Sequence, residues 1–166
     1  MNSASSPAPQ RIAEITLDER TVIRRSRAIE DERTAAITDL LKDNRFTPLS
    51  GLTGPYHLHL AVEENRLIME IRPLNNLGAD GSNESIVLPL APFRRIVKDY
   101  FLVCESYYEA IRDKSLTQVE AIDVGRRSLH DEGSELLAER LAGRVAIDHD
   151  TARRLFTLIC VLHLRS

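Results

Sequence analysis

The feature that most constrains the fold is one long amphipathic stretch, residues 92–112, with the sequence PFRRIVKDYFLVCESYYEAIR. Its apolar side chains recur every three or four residues, which places them on one face of an α-helix. They are Phe93, Ile96, Val97, Tyr100, Cys104, Tyr107 and Ile111. At about 1.5 Å per residue this helix is roughly 31 Å long, enough to span a small domain. We therefore expect a central helix on which other elements pack.

Length and charge narrow the class of protein. The chain has 166 residues, of which 43% are apolar and 28% charged, values typical of one soluble globular domain. A net charge of −3 does not favour general nucleic-acid binding, which requires a basic surface. No apolar run is long enough for a membrane helix, and no signal peptide is recognisable. We interpret Cys104 and Cys160 as buried free thiols of a cytoplasmic protein, with a disulfide between them as the alternative.

The first half of the chain has the patterns of a small sheet. Residues 1–10 are predicted to be a disordered tail, and residues 11–17 a short strand. Residues 29–42 have the apolar stripe of a helix. Alternation over 56–62 and 67–72 predicts a β-hairpin with His57 and His59 on its outer face. Two Gly-rich loops, 48–55 and 73–85, surround this hairpin, and 85–90 is a further candidate strand.

The second half is predicted to be helical. Residues 115–142 have a helical stripe whose start fits either of two capping boxes, Thr117 with Glu120 or Ser115 with Gln118. Glycines at 125 and 133 predict a kink or two shorter helices. Residues 144–147 are expected to be extended, and the apolar stretch 151–164 to be a largely buried helix.

The predicted fold is therefore α+β. A small antiparallel sheet with one N-terminal helix packs against a C-terminal bundle of three or more helices. We expect one domain over residues 11–166, strand-rich in 11–90 and helical in 91–166.

Three segments carry a resemblance to a known family. They are PFRRIVKDYFLVCESYYEAI, EAIDVGRRSLHDEGSELL and DTARRLFTLICVLH. Together they strongly resemble an uncharacterised bacterial protein family, number two-six-two of the UPF series, and the likeness extends more weakly to the strands near Tyr56. The resemblance implies a stand-alone bacterial cytoplasmic protein. It implies no activity and no catalytic residues.

Three arginine pairs are the first candidate for chemistry. They are Arg94 with Arg95, Arg126 with Arg127, and Arg153 with Arg154. Two of the pairs lie in opening turns of predicted helices, where the helix dipole disfavours cations and favours anions. Each pair therefore requires a negative partner, either an internal carboxylate or an external carboxylate, phosphate, nucleotide or RNA backbone.

Two histidine-containing groups are weaker candidates. His130, Asp131, Glu132 and Glu135, joined by His149, supply enough nitrogen and oxygen ligands for a divalent metal, but a solvated acidic helix face with a capping histidine is the favoured interpretation. His57 and His59 are too few to bind a metal alone. No Ser/His/Asp or Cys/His triad follows from the spacing, and glycine-rich phosphate loops and GxSxG motifs are absent.

These features favour a non-enzymatic interaction or regulatory protein that acts without a cofactor. We expect an unidentified protein partner and leave a homodimer open. One alternative is an anion, nucleotide or RNA-backbone binder that uses the arginine pairs. The other is a metal-assisted hydrolase or transferase.

Overall fold

The computed structural model describes residues 10–19, 27–74 and 83–163, and every structural statement below concerns these ranges. The elements are β1 (Ile12–Leu17), α1 (Arg27–Lys42), β2 (Phe46–Pro48), β3 (Tyr56–Glu63), β4 (Arg66–Pro73), β5 (Glu84–Pro89), α2 (Arg94–Asp113), α3 (Leu116–Leu141), β6 (Val145–Ile147) and α4 (His149–His163). A short 3-10 turn, Ala91–Phe93, leads into α2. The predicted α+β class is confirmed. The predicted tail, residues 1–10, lies almost wholly outside the described residues.

The main sheet has four strands in the order β1-β3-β4-β5. The antiparallel pairing of β3, β4 and β5 agrees with the prediction, but β1 pairs with β3 in parallel, so the sheet is mixed. Parallel pairing of β1 with β3 is possible because α1 lies between them in the sequence. This helix returns the chain to the end of the sheet at which β1 begins. A second sheet pairs β2 with β6 and was not predicted, since three-residue strands are too short to show alternation.

The side chains of the main sheet alternate between a buried face and an outer face. Leu58, Leu60, Leu67, Met69 and Ile71 are at most 1% exposed and belong to one apolar core shared with the helices. The intervening positions on β1, β3 and β4 carry mostly polar side chains that are exposed or half-buried. The sheet therefore packs on the helices with one face and leaves the other accessible.

The innermost helix is α4, which contacts α1, α3 and β3, so the expectation that α2 is the central helix was wrong. Every residue from Leu155 to Leu162 is buried, as its apolar composition predicts. The first half of α2 also packs into the core through Ile96, Val97 and Tyr100, as expected. Farther along α2, Leu102 and Ile111 are more than half exposed. No helix in the described ranges combines the length and apolar composition needed to span a membrane.

One continuous helix, α3, replaces the two shorter helices that its glycines suggested. It begins at the Ser115–Gln118 capping box. Gly133 lies directly against the ring of Phe156, where a side chain would not fit. Of the two alternatives, a kink or two shorter helices, the second was therefore wrong, because a glycine can serve close helix packing without interrupting the helix.

Candidate functional site

A cleft of about 290 Å³ opens between α1, α3 and α4. It is lined by Glu32, Ala35, Ala36, Asp39, Tyr100, Arg126, Arg127, His130, Asp150, Arg153, Arg154 and Thr157. We call it the arginine cleft. Two of the three predicted arginine pairs meet there, although they lie on different helices.

Helical periodicity explains how one cleft collects so many polar groups. On α4, the cleft residues Arg153, Arg154 and Thr157 lie three, four and seven residues after Asp150. All four therefore share one face of the helix. The cleft residues of α1 between Glu32 and Asp39 have the same offsets. The polar side of α4 thus faces the cleft, whereas α1 contributes two carboxylates and two alanines.

The α3 pair shares a single carboxylate. Arg126 donates from Nε and Nη2 to Oδ1 of Asp123 at 3.0 and 2.6 Å, and Arg127 Nε lies 3.2 Å from Oδ2. The Arg126 guanidinium also lies 4.9 Å from the ring centroid of Tyr107, within cation–π range. Although burial lowers the pKa of Arg126, its hydrogen bond to Asp123 raises that pKa above the ordinary value. Two cations therefore face one anion at this wall.

The α4 pair is satisfied differently. Arg153 forms an ion pair with Asp131 of α3, which ties the two helices together. Arg154 donates from Nη1 to the backbone carbonyl of Asp43 at 3.0 Å. A carbonyl is neutral, so it leaves the charge of Arg154 without direct compensation at that contact.

The third pair lies outside the cleft. Arg95 donates to Asp99 at 3.2 Å and to Glu132 at 3.0 Å, both at exposed positions. Arg94 is exposed, and its charge adds to the burial that lowers the pKa of His163. For Arg95, the internal partner considered from the sequence is the one observed.

His130 forms the floor between α3 and α4. Its Nε2 lies 2.7 Å from Oγ1 of Thr157, and its ring packs against Tyr100 and Phe156 at centroid distances of 5.3 and 5.4 Å. Burial, followed by the charge of Arg153, lowers the pKa of His130 to about 4, so the imidazole is neutral at pH 7. Its Nδ1 is buried and has no hydrogen-bond partner within the described ranges. A buried polar atom of this kind is costly unless something bonds to it.

Glu32 lies at the opposite wall and was missed from the sequence. Tyr100 and Tyr108 donate to its two carboxylate oxygens at 3.1 and 3.3 Å. Burial and the Glu32 charge raise the pKa of Tyr108 to about 12 and that of Tyr100 well above its usual range. The offsets of the α1 cleft residues are visible in the sequence, but no local pattern indicates that Glu32 accepts hydrogen bonds from two tyrosines of α2. Perturbed pKa values concentrated at one cleft are typical of functional sites.

The predicted metal ligands do not gather into one group. His130 is buried against Thr157, Asp131 pairs with Arg153, and Glu135 and His149 are exposed. In the part of the chain that the structure describes, no three His, Cys, Asp or Glu side chains are grouped for metal binding.

Comparison with known proteins identifies the family. The model of an uncharacterised protein family, UPF0262, matches residues 9–165. The chain belongs to the UPF0262 family. A UPF0262 protein of Rhodospirillum rubrum is 55% identical over 93% of this chain and 92% of its own length. A UPF0262 protein of Azorhizobium caulinodans is 52% identical over 96% and 98% of the two chains. No solved structure gives a significant match.

Membership of UPF0262 confirms the resemblance seen in the sequence and covers nearly the whole chain. The names of the bacterial relatives state no substrate, partner or activity. These names therefore assign no chemistry to the side chains of this UPF0262 protein.

Proposed function

We propose that this protein binds a small anion in the arginine cleft and acts as a ligand-responsive regulatory or interaction protein. The observation that carries the proposal is the convergence of Arg126, Arg127, Arg153 and Arg154 on one cleft. A guanidinium presents several N–H donors in a planar fork that matches carboxylate and phosphate groups.

The internal partners leave binding capacity in the cleft. Arg126 and Arg127 share Asp123, and the described contact of Arg154 is to a neutral carbonyl. Arg154 therefore retains donors, and the shared carboxylate leaves positive charge at the α3 wall. An entering anion would meet both helices at once and replace solvent rather than break every internal contact.

Carboxylates in the same cleft restrict which anion fits. Glu32, Asp39 and Asp150 line it together with the arginines. They repel a simple polyanion but accept hydrogen bonds from hydroxyl or amino groups. The best match is a small phosphorylated or carboxylated molecule that also carries such donors.

Calorimetric titration of the full chain with inorganic phosphate tests the proposal. We expect saturable binding to the wild type only in the millimolar range, because the cleft carboxylates weaken the binding of so simple an anion. Arg127→Gln and Arg154→Gln should each weaken it roughly tenfold or more, the effect of losing a charge-assisted hydrogen bond.

Arg94→Gln provides the matched control, because it removes an arginine from the pair outside the cleft. This variant should bind phosphate like the wild type. Absence of wild-type binding at tens of millimolar phosphate, or equal losses in all three variants, would refute an anion site in the cleft.

A protein partner is a second candidate, favoured by exposed apolar side chains on α2 and α3. Ile111, Leu116 and Val124 are 53%, 73% and 59% exposed. Exposed apolar groups on neighbouring helices favour association with another protein or a second copy of this chain. Sedimentation analysis should detect self-association that Leu116→Glu abolishes, and a wild-type monomer at high concentration would argue against the homodimer.

We further propose that this function is carried out in the bacterial cytoplasm. Cys104 and Cys160 are both free and buried, which supports a reducing compartment.

A further inference from the structure

The outer face of the main sheet carries a second polar site, which shares no lining residue with the arginine cleft. The strand register places Glu14 beside His57 and Thr16 beside His59. On the next strand Arg72 lies opposite His57. These residues, apart from Glu14, line a cavity of about 440 Å³, a size suited to a small organic ligand.

Four side chains on this face form a hydrogen-bonded chain. Oε1 of Glu14 lies 3.0 Å from Nδ1 of His57, and Nε2 of the same ring lies 3.0 Å from Oγ1 of Thr16. Nδ1 of His59 approaches the same hydroxyl oxygen at 2.6 Å. A carboxylate on Nδ1 and a hydroxyl on Nε2 is the arrangement that activates a nucleophile in acyl transfer.

For a neutral His57, the chemistry of the groups gives each hydrogen bond one direction. A carboxylate can only accept, so His57 carries its proton on Nδ1 and donates to Glu14. In the neutral ring Nε2 then has a lone pair, and the Thr16 hydroxyl donates its single proton to it. Thr16 Oγ1 remains free to accept from His59, which therefore carries its proton on Nδ1. All three contacts are satisfied by one assignment of protons.

We propose that Thr16 is a nucleophile for hydrolysis of small carboxylic esters, with His57 as its general base and Glu14 as a positioning residue. Thr16 Oγ1 bonds to the ester carbonyl carbon as its proton moves to His57 Nε2. The bond from that carbon to the alkoxy oxygen then breaks, and Nε2 returns the proton to the departing alcohol. Water, deprotonated by the same nitrogen, cleaves the acyl–threonine bond, releasing the acid and restoring the Thr16 hydroxyl.

The surroundings favour a neutral ester with a short apolar acyl group. Arg72 supplies positive charge for the carbonyl oxygen as it becomes negative. Glu70, opposite His59 on the neighbouring strand, disfavours an anionic substrate. The next row across the same face is apolar, with Ile68 paired to Val87, and it provides a surface for the acyl chain.

Ester hydrolysis and covalent labelling together test this site. The full chain is assayed with p-nitrophenyl butyrate and then treated with a fluorophosphonate, and the labelled residue is mapped by mass spectrometry. We expect turnover and an adduct on Thr16. Thr16→Val and His57→Gln should each lower kcat by about a hundredfold or more, and Thr16→Ser should retain both turnover and labelling.

Two further variants separate chemistry from structure. Ser106→Ala removes an exposed hydroxyl on α2, outside the cavity, and should leave turnover and labelling unchanged. Glu14→Gln should lower kcat with little change in KM, and Glu14→Asp should recover part of the loss. Because Glu14 and Thr16 are exposed, their variants should keep the wild-type melting temperature.

Three outcomes would overturn the assignment. The first is an adduct on Ser85 rather than Thr16. The second is equal turnover by wild type and Thr16→Val, and the third is no turnover and no adduct at all.

Discussion

Replacing Gly133 with alanine is expected to destabilise the protein, whereas the same change at Gly125 in the same helix should stabilise it. An alanine Cβ at position 133 would lie only 2.1 Å from Cζ of Phe156, while the space around position 125 is open. Ordinary contact begins near 3.4 Å, so the Phe156 ring would have to retreat by about 1.3 Å, the difference between 3.4 and 2.1 Å. The ring is fully buried, so its retreat would disturb the neighbouring core side chains.

The magnitude follows from two opposing terms. Overpacking a core costs about 1–3 kcal/mol, and so severe an overlap belongs near the upper end. Alanine regains about 1 kcal/mol through its better helix propensity. Gly133→Ala should therefore lower the free energy of unfolding by about 2 kcal/mol, whereas Gly125→Ala should raise it by up to about 1 kcal/mol.

Scanning calorimetry provides the assay. For a chain of this size, about 2–4 °C in Tm corresponds to each kcal/mol, so Gly133→Ala should lose about 4–8 °C and Gly125→Ala should gain a few degrees. In the double variant Gly133→Ala with Phe156→Leu, the smaller side chain at position 156 leaves room for the alanine. The effects of the two changes on stability should therefore be strongly non-additive. Equal stability of the two alanine variants, or additive effects in the double variant, would refute close packing at Gly133.

Three other predictions concern the buried polar groups. Because the folded-state pKa of His130, about 4, lies below its usual 6.5, its contribution to stability is complete above pH 6.5 and is lost as pH falls towards 4. In urea titrations, the free energy of unfolding of His130→Gln should fall by about 3 kcal/mol less than that of the wild type over this pH range. An identical dependence of stability on pH in both proteins would contradict the lowered pKa of His130. Cys104 and Cys160 should resist iodoacetamide at pH 8 in the native state and react in urea. The reason is that burial raises the pKa of both thiols, that of Cys104 to about 11. Rapid modification of either thiol in the native state would contradict this. Asn44 bridges the backbone of Ile12 and α1, so Asn44→Ala should cost about 2–4 kcal/mol by chemical denaturation, and a loss under 1 kcal/mol would contradict that role.

Local patterns predicted the elements of this protein well. The apolar periodicity of α2 identified a helix whose predicted core positions Ile96, Val97 and Tyr100 are buried. Strict alternation identified the β3–β4 hairpin and placed His57 and His59 on its outer face. These signals are local, because helical and strand periods act over a few residues.

Contacts between distant segments could not be predicted in the same way. The arginine cleft depends on how α3 and α4 pack, which Gly133 controls through a contact that sequence shows only as an interruption. The chain from Glu14 through His57 to Thr16 depends on parallel pairing of β1 with β3, separated by more than forty residues. Residue types alone do not show how α3 packs on α4 or how β1 pairs with β3. Both sites could therefore be recognised only in the structure.

The most direct test of the anion proposal is an amide NMR titration of the wild-type chain with inorganic phosphate. We predict saturable shifts confined to residues 126–131 and 150–157, which form two walls of the arginine cleft, while the amides of Arg94 and Arg95 remain unchanged. No shifts at tens of millimolar phosphate, or shifts that spread equally over all arginine pairs, would contradict an anion site in the cleft.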